Sequence, residues 1–291
     1  MFNSSRRDFL KQSLALSAAT LFPSALCLAG DAPTIQFGLV TYQWGRDWDL
    51  PTLIRNCQTT KLLGVELRTT HAHKVEPNLS PAERTVVKKH FADSPVKLLS
   101  LGSAEDFHSP DPKKLEKNIE TTKAFIKLSA DVGSTGVKVR PNDLPKGVAP
   151  ERTIEQIGKS LNTLGQFAAD YNQQIRLEVH GGCAKLSVIK QIMDVATHPN
   201  VAVCWNSNNS DQDGGLEQNF NLVKPRLGLT THVRELNTPG YPWQQLATLF
   251  VKAQHKGWWL LEAGGKDPAD RIQALIDQRE LFEKLMAKAT A

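Results

Sequence analysis

Between residues 34 and 288, short aliphatic or β-branched runs alternate with amphipathic stretches eight times, and this limits the fold more than any other feature of the chain. The strand-like runs are TIQFGLV (34–40), GVELR (64–68), VKLLSLG (96–102), GVKVRP (136–141), IRLEVHG (175–181), VAVCWN (201–206), LTTHVREL (229–236) and WWLLEAG (258–264). Helical stretches follow at 49–60, from Ser80 onward, and at 111–133, 150–172, 185–197, 215–223, 242–256 and 267–288. Ser80 ahead of Pro81 and Glu83 is a helix start, and Pro112 and Gly133 bracket the third helix. Parallel strands need a crossover between them, so strict alternation predicts a parallel sheet. Eight units predict the α/β class and a closed (β/α)8 TIM barrel. An open doubly wound sheet would carry a Gly-rich phosphate loop after its first strand, and FGLVTYQWGRD (37–47) has none.

The N-terminus has a different character. Ser5-Arg6-Arg7-Asp8-Phe9-Leu10-Lys11 matches the pattern of a twin-arginine export signal, and an Ala-rich apolar run from Leu14 to Ala29 follows it. Pro23 and the absence of charge in that run argue against an amphipathic first helix. The expected division is a signal peptide over 1–29, cut near Ala29, and one barrel domain over 30–291, exported to the periplasm or the cell exterior. Cleavage takes 35 basic residues to 32 and 30 acidic residues to 29, a net charge of +3. That balance, with no basic run interleaved with aromatics, speaks against nucleic acid, and the mature chain shows no membrane-spanning run. Of the four cysteines, cleavage removes Cys27, and the remaining Cys57, Cys183 and Cys204 are odd in number and lack CxxC spacing. A homo-oligomer is left open.

Barrels place chemistry at the C-terminal ends of their strands. Reading those ends in order gives Glu66 and Arg68, Lys138 and Arg140, Glu178 and His180, Asn206, His232 with Glu235 just beyond it, and Glu262. In LEVHG (177–181) strand alternation puts Glu178 and His180 on one face, opposite Leu177 and Val179. Glu178, Asn206, His232 and Glu262 then share one rim on four consecutive strands. Two carboxylates, an imidazole and an amide oxygen suit a single divalent ion such as Mn²⁺, Mg²⁺ or Zn²⁺. A merely solvated polar rim is the alternative. His71, His73 and His108 follow strands 2 and 3, where each either meets substrate or is simply a loop residue. Trp44 is placed to stack on a sugar ring, while Trp205 reads as outward packing.

In these residues the chain resembles the xylose isomerase-like TIM barrel superfamily of sugar phosphate isomerases and epimerases, which also includes dehydratases and endonuclease IV. The resemblance spans residues 34–288 and implies one metal held at the ends of strands 5 to 8. Glu178, His232 and Glu262 match that ligand set with spacings of 54 and 30 residues, and HVRELN (232–237) is similar to the His segment of ketose epimerases. Strand 6 departs from the usual Asp-x-x-His, reading Asn206-Ser207-Asn208-Asn209. Asn206 offers an oxygen but no charge, which makes His180 a candidate extra ligand. Asn209 stands where the epimerases carry a substrate-contacting histidine. The many additional His and Asp ligands of a three-zinc nuclease are missing.

The chemistry implied is proton abstraction next to a carbonyl, with the metal polarising oxygen and Glu178 and Glu262 moving the proton. Glu66, Arg68, His108, Lys138, Arg140, Asn209 and Glu235 are the expected substrate contacts. Lys138 and Arg140 have a second reading, as structural partners of Glu66, Glu178 or Glu262. The leading expectation is a sugar isomerase or epimerase acting on a small sugar or glycoside. A lyase or dehydratase acting on keto-sugars or 3-keto-glycosides is the alternative, with His180 as its acid. A non-catalytic sugar-binding barrel is the third. Export favours free sugars and glycosides over phosphorylated ones. Replacing both Arg6 and Arg7 with lysine is expected to hold the precursor in the cytoplasm, read by cell fractionation and immunoblotting.

Overall fold

The computed structural model describes residues 35–291, so the export signal read at 1–29 lies outside the described residues. Eight strands are present: β1 (Ile35–Val40), β2 (Gly64–Arg68), β3 (Lys97–Asp106), β4 (Gly136–Arg140), β5 (Gln174–Glu178), β6 (Val201–Cys204), β7 (Thr230–Val233) and β8 (Gly257–Leu261). They alternate with α1 (Leu50–Thr60), α2 (Pro81–Ala92), α3 (Pro112–Asp131), α4 (Pro150–Ala169), α5 (Leu186–Val195), α6 (Leu216–Val223), α7 (Trp243–Lys252) and α8 (Arg271–Thr290). All pairing is parallel, in the order β6-β5-β4-β3-β2-β1-β8-β7. The gap between β6 and β7 is bridged at Val203–Leu227 and Asn206–His232, and the His232 N–H donates to the Trp205 carbonyl at 2.7 Å. The sheet therefore closes as a (β/α)8 barrel.

Local sequence explains the helix starts. Ser80 and Glu83 form a reciprocal capping box, Asp49 accepts from the Thr52 N–H at 2.9 Å, and Asp111 and Asp270 cap α3 and α8. Strand alternation divides each strand between two environments. Val137, Val139, Ile175, Leu177, Trp205 and Trp259 face outward into the helix layer, where Trp205 packs against Phe220 and Phe250. Val40, Leu99, Trp258 and Leu260 form a separate apolar plug inside the barrel. The polar residues of β2, β4, β5 and β7 must share the rest of that interior.

Several boundaries differ from expectation. β5 stops at Glu178, because Val179 makes the last ladder bond and Gly181 turns the chain at φ +68°. β7 stops at Val233, since the Arg234 N–H goes to the Ser207 hydroxyl rather than to a strand. β8 likewise ends just before Glu262. β3 runs to Asp106, four residues past its expected end, because after an irregularity Asp106 pairs with Arg140 of β4. Cys57, Cys183 and Cys204 are all buried free thiols. No described helix is long and apolar enough to cross a membrane.

Gly38 marks a place where β1 and β2 approach too closely for a side chain. A Cβ there would run into the Gly64 carbonyl oxygen and stand 2.7 Å from Leu260 Cδ2. Gly38→Ala is expected to cost about 1–3 kcal/mol or more through overpacking, measured by urea unfolding.

Candidate active site

The strand ends open into a cavity of about 480 Å³. Its floor is built from charges that alternation forces inward. Lys138 of β4 and Glu178 of the neighbouring β5 meet at 2.8 Å (Nζ to Oε2), with side chains only 3% and 2% exposed. The other oxygen of Glu178 accepts from Asn206 Nδ2 at 2.9 Å and stands 3.3 Å from His232 Nδ1. Glu262 Oε2 reaches that same nitrogen at 3.4 Å. On the far side of the ring, Nε2 lies 3.2 Å from Glu66 Oε1, an ion-pair contact without hydrogen-bond alignment.

These contacts govern ionisation. Burial opposes charge on Glu178, but Lys138 and His232 outweigh it and hold the carboxyl well below the usual range. Burial likewise opposes charge on Lys138, and the carboxylates of Glu178, Glu66 and Glu262 more than restore it, so Lys138 stays an ammonium. Burial also works against protonation of His232, while Cys204, Glu66 and Glu262 around the ring favour it and raise its pKa well above the ordinary value. The floor thus attracts positive charge.

A divalent cation fits this donor set. One ligand atom from each of Glu178, His232 and Glu262 lies within 4.8 Å of the others. Three protein ligands with one side open to a cavity is the pattern of a catalytic rather than a structural metal site. Three carboxylates, Glu66 and Glu178 buried and Glu262 partly exposed to the cavity, surround the His232 ring, a setting that favours a cation there. Both oxygens of Glu66 lack a hydrogen-bond partner. With Nδ1 committed to a metal, Nε2 carries the proton and can donate to Glu66, the usual way a carboxylate orients a ligating imidazole. Asn206 is different: its amide nitrogen faces Glu178 and Glu262, at 2.9 and 3.5 Å. As placed it bridges the two carboxylates, and offering its oxygen to an ion takes a half-turn of the amide.

Arg68, Lys138, Arg140, Glu178, His180, Asn206, Glu235 and Glu262 all line the cavity, as expected from their strand ends. His180 lies outside the three-residue ligand cluster. Asn142 Nδ2 donates to Asp106, which turns its oxygen to His180 Nδ1 at 3.1 Å. That contact puts the ring proton on Nδ1 and leaves Nε2 as the acceptor. Burial lowers the pKa of His180, despite the Glu178 charge nearby. Lys138 forms the structural pair with Glu178 and also lines the cavity.

Three expected substrate contacts are corrected. Glu66 is fully buried and touches His232 rather than the cavity, because it sits one layer deeper on β2 than Arg68. His108 lies over a separate groove between α3 and α4, where its Nδ1 is 3.2 Å from Asp106 Oδ1. The extended β3 sends Phe107 into the core and turns His108 to the outside. Asn209 is exposed and accepts from Arg234 Nη2 at 2.7 Å, so it holds a cavity arginine rather than lining the cavity. His73 is a satisfied core histidine, bonded to the Arg68 carbonyl and the Val75 N–H at 2.8 and 3.0 Å. Sequence reasoning passed over Arg234 and Tyr42, which line the cavity. Arg234 was legible in HVRELN as the second residue after His232, on the same alternation.

Glu66→Gln removes the charge behind His232 while keeping the side chain's shape. It is expected to weaken Mn²⁺ or Zn²⁺ binding by about 10–100-fold, read by calorimetry on metal-stripped protein. Unchanged affinity would show that Glu66 does not hold the ligating ring.

The same architecture recurs in solved structures. The 3-keto-D-glucoside 4-epimerase of E. coli superposes with a TM-score of 0.73 at 13% identity, covering 86% of this chain and 100% of its own. A D-psicose 3-epimerase solved in the presence of D-fructose gives 0.75 at 14% identity, covering 88% and 100%. The IOLI protein, solved with a zinc atom, gives 0.70 at 15% identity, covering 87% and 99%. At such identities the likeness is one of fold. No curated protein shows significant sequence similarity to the chain. The family model for the xylose isomerase-like TIM barrel matches residues 54–283, most of the barrel from α1 into α8. The chain therefore belongs to the xylose isomerase-like TIM barrel family.

Proposed function

We propose that this protein is a metal-dependent sugar isomerase or epimerase, exported by the twin-arginine route. The observation that carries the catalytic reading is the convergence of Glu178 and Glu262 on His232 Nδ1, at 3.3 and 3.4 Å, beneath an open cavity. Several neighbours in fold are named as sugar epimerases, which supports the same class of chemistry. The export reading is supported by the Ser5–Lys11 pattern and the apolar run after it.

Glu178, His232 and Glu262 would hold the ion, which when bound supplies polarisation of a sugar carbonyl or hydroxyl. The rest is work for the chain's own groups. The two carboxylates are not equivalent. Glu178 is tied to Lys138 and Asn206, and its depressed pKa makes it a weak proton acceptor. Among the described residues Glu262 has no lysine within ion-pair distance, and its side chain is 16% exposed, so it is the carboxylate able to take a proton from carbon and return it. Tyr42 and the arginines at the mouth position the sugar and cover it.

The test is solvent exchange. The metal-loaded mature chain in D₂O should wash deuterium into the carbon next to the carbonyl of an accepted ketose or keto-glycoside, with substrate mass otherwise conserved, followed by NMR. Glu262→Gln is expected to slow that exchange by about 10²–10⁴-fold. Loss of water or an alcohol from the substrate would point instead to the lyase. Absence of exchange with D-fructose, D-psicose, L-ribulose and a 3-keto-D-glucoside alike would leave a sugar-binding barrel and sink the catalytic reading.

A further inference from the structure

We propose that the sugar taken by this site carries an anionic group, a carboxylate or a phosphate, held by Arg68, Arg140 and Arg234. The inference rests on the reading of the cavity as a sugar site and names the class of sugar. The three arginines stand at the ends of β2 and β4 and just past β7, and all line the same cavity.

None of the three has a carboxylate within 4.0 Å among the described residues. Elsewhere Arg46, Arg84, Arg271 and Arg279 each pair with an acid, while the buried Arg176 and the half-buried Arg226 are satisfied by several carbonyl oxygens; the cavity arginines have neither. The cavity's own carboxylates are engaged by other groups. Glu178 is bound to Lys138, Glu262 faces His232, and Glu235 accepts from the Gly265 N–H at 2.9 Å. Glu105 feels the charge of Arg140 without pairing with it.

Each arginine is instead oriented by an uncharged anchor. Arg140 donates to the Ala104 carbonyl at 2.6 Å, and Arg234 donates to Asn209 at 2.7 Å while lying over the Tyr241 ring at 5.1 Å. Arg68 lies over the Tyr42 ring at 5.2 Å. The Nε atoms of Arg140 and Arg234 are buried without a partner. A guanidinium keeps its charge at any working pH and presents paired N–H groups that match two oxygens of a carboxylate or phosphate. Partly dehydrated, held in place and unneutralised, these groups lack only an anion. Hydroxyls of a neutral sugar can accept hydrogen bonds but bring no charge to pair with a guanidinium.

The test compares three ketoses of matched carbon skeleton: D-fructose, D-fructuronate and D-fructose 6-phosphate. Their affinities are measured by calorimetry on the Mn²⁺-loaded chain at low and moderate salt. At least one anionic ketose should bind about tenfold or more tighter than D-fructose, with an advantage that shrinks as salt rises. The better of the two identifies carboxylate or phosphate as the group recognised. Arg140→Gln and Arg234→Gln, checked for folding by circular dichroism, should each cut the anion's advantage while changing D-fructose affinity less. Equal binding of all three ketoses, binding of none, or variants that weaken anionic and neutral sugars alike would overturn the proposal. Solvent exchange scored on the same samples separates the two readings. Exchange without an anion advantage leaves the isomerase standing and ends this inference, whereas an anion advantage without exchange does the reverse.

Discussion

The buried pair of Lys138 and Glu178 is the constraint on which the rest of the site depends. At 2.8 Å, and almost without solvent, neither charge is tolerable alone, since an unpaired ion in such a place costs several kcal/mol. The pair exists because β4 and β5 are neighbours and strand alternation turns both side chains inward. By occupying one oxygen of Glu178, Lys138 turns the other toward Asn206 and His232. His232 in turn sits among three carboxylates, with Glu66 behind it and Glu262 beside Glu178. Barrel closure runs through the same residues, because the Asn206–His232 bridge and the His232 N–H bond to the Trp205 carbonyl help join the β6 side of the sheet to β7. Chemistry and closure therefore share their side chains, and a change at either is felt by the other.

A second asymmetry follows from the first. One carboxylate is held by an amine and an amide, while the other is more exposed and faces the cavity. Two glutamates at one site can then divide the work, one keeping its charge and position, the other exchanging a proton with substrate. Above them the arginines at the mouth of the barrel lie against aromatic rings, a carbonyl and an amide rather than in ion pairs.

Much of this architecture is legible in the order of residues along the chain. The eightfold alternation calls for parallel strands, and the count of eight with no Gly-rich loop after the first strand favours a closed barrel over an open sheet. The spacing of Glu178, His232 and Glu262 at successive strand ends places them on one rim, because every strand of a parallel barrel ends on the same side. The cap of α2 can be read from Ser80 and Glu83, because a capping box depends on residues only three apart.

What the linear order could not supply was depth and partnership. Alternation assigns Glu66 and Arg68 to the same face, but only the barrel's third dimension buries one under His232 and leaves the other at the cavity. His108 has the look of a site residue in the sequence, yet the extension of β3 carries it to the outside, a consequence of pairing with β4 that no local pattern records. The choice of Glu178 as the partner of Lys138, and the lack of an ion pair at Arg68, Arg140 and Arg234 among the described residues, are likewise tertiary facts. Sequence by itself determined which residues face inward, because that follows from the two-residue period of a strand. Only the folded barrel decided which of them touch, because contact depends on register between strands distant in the chain, with Asn206 meeting Glu178 across 28 residues and His232 meeting Glu178 across 54.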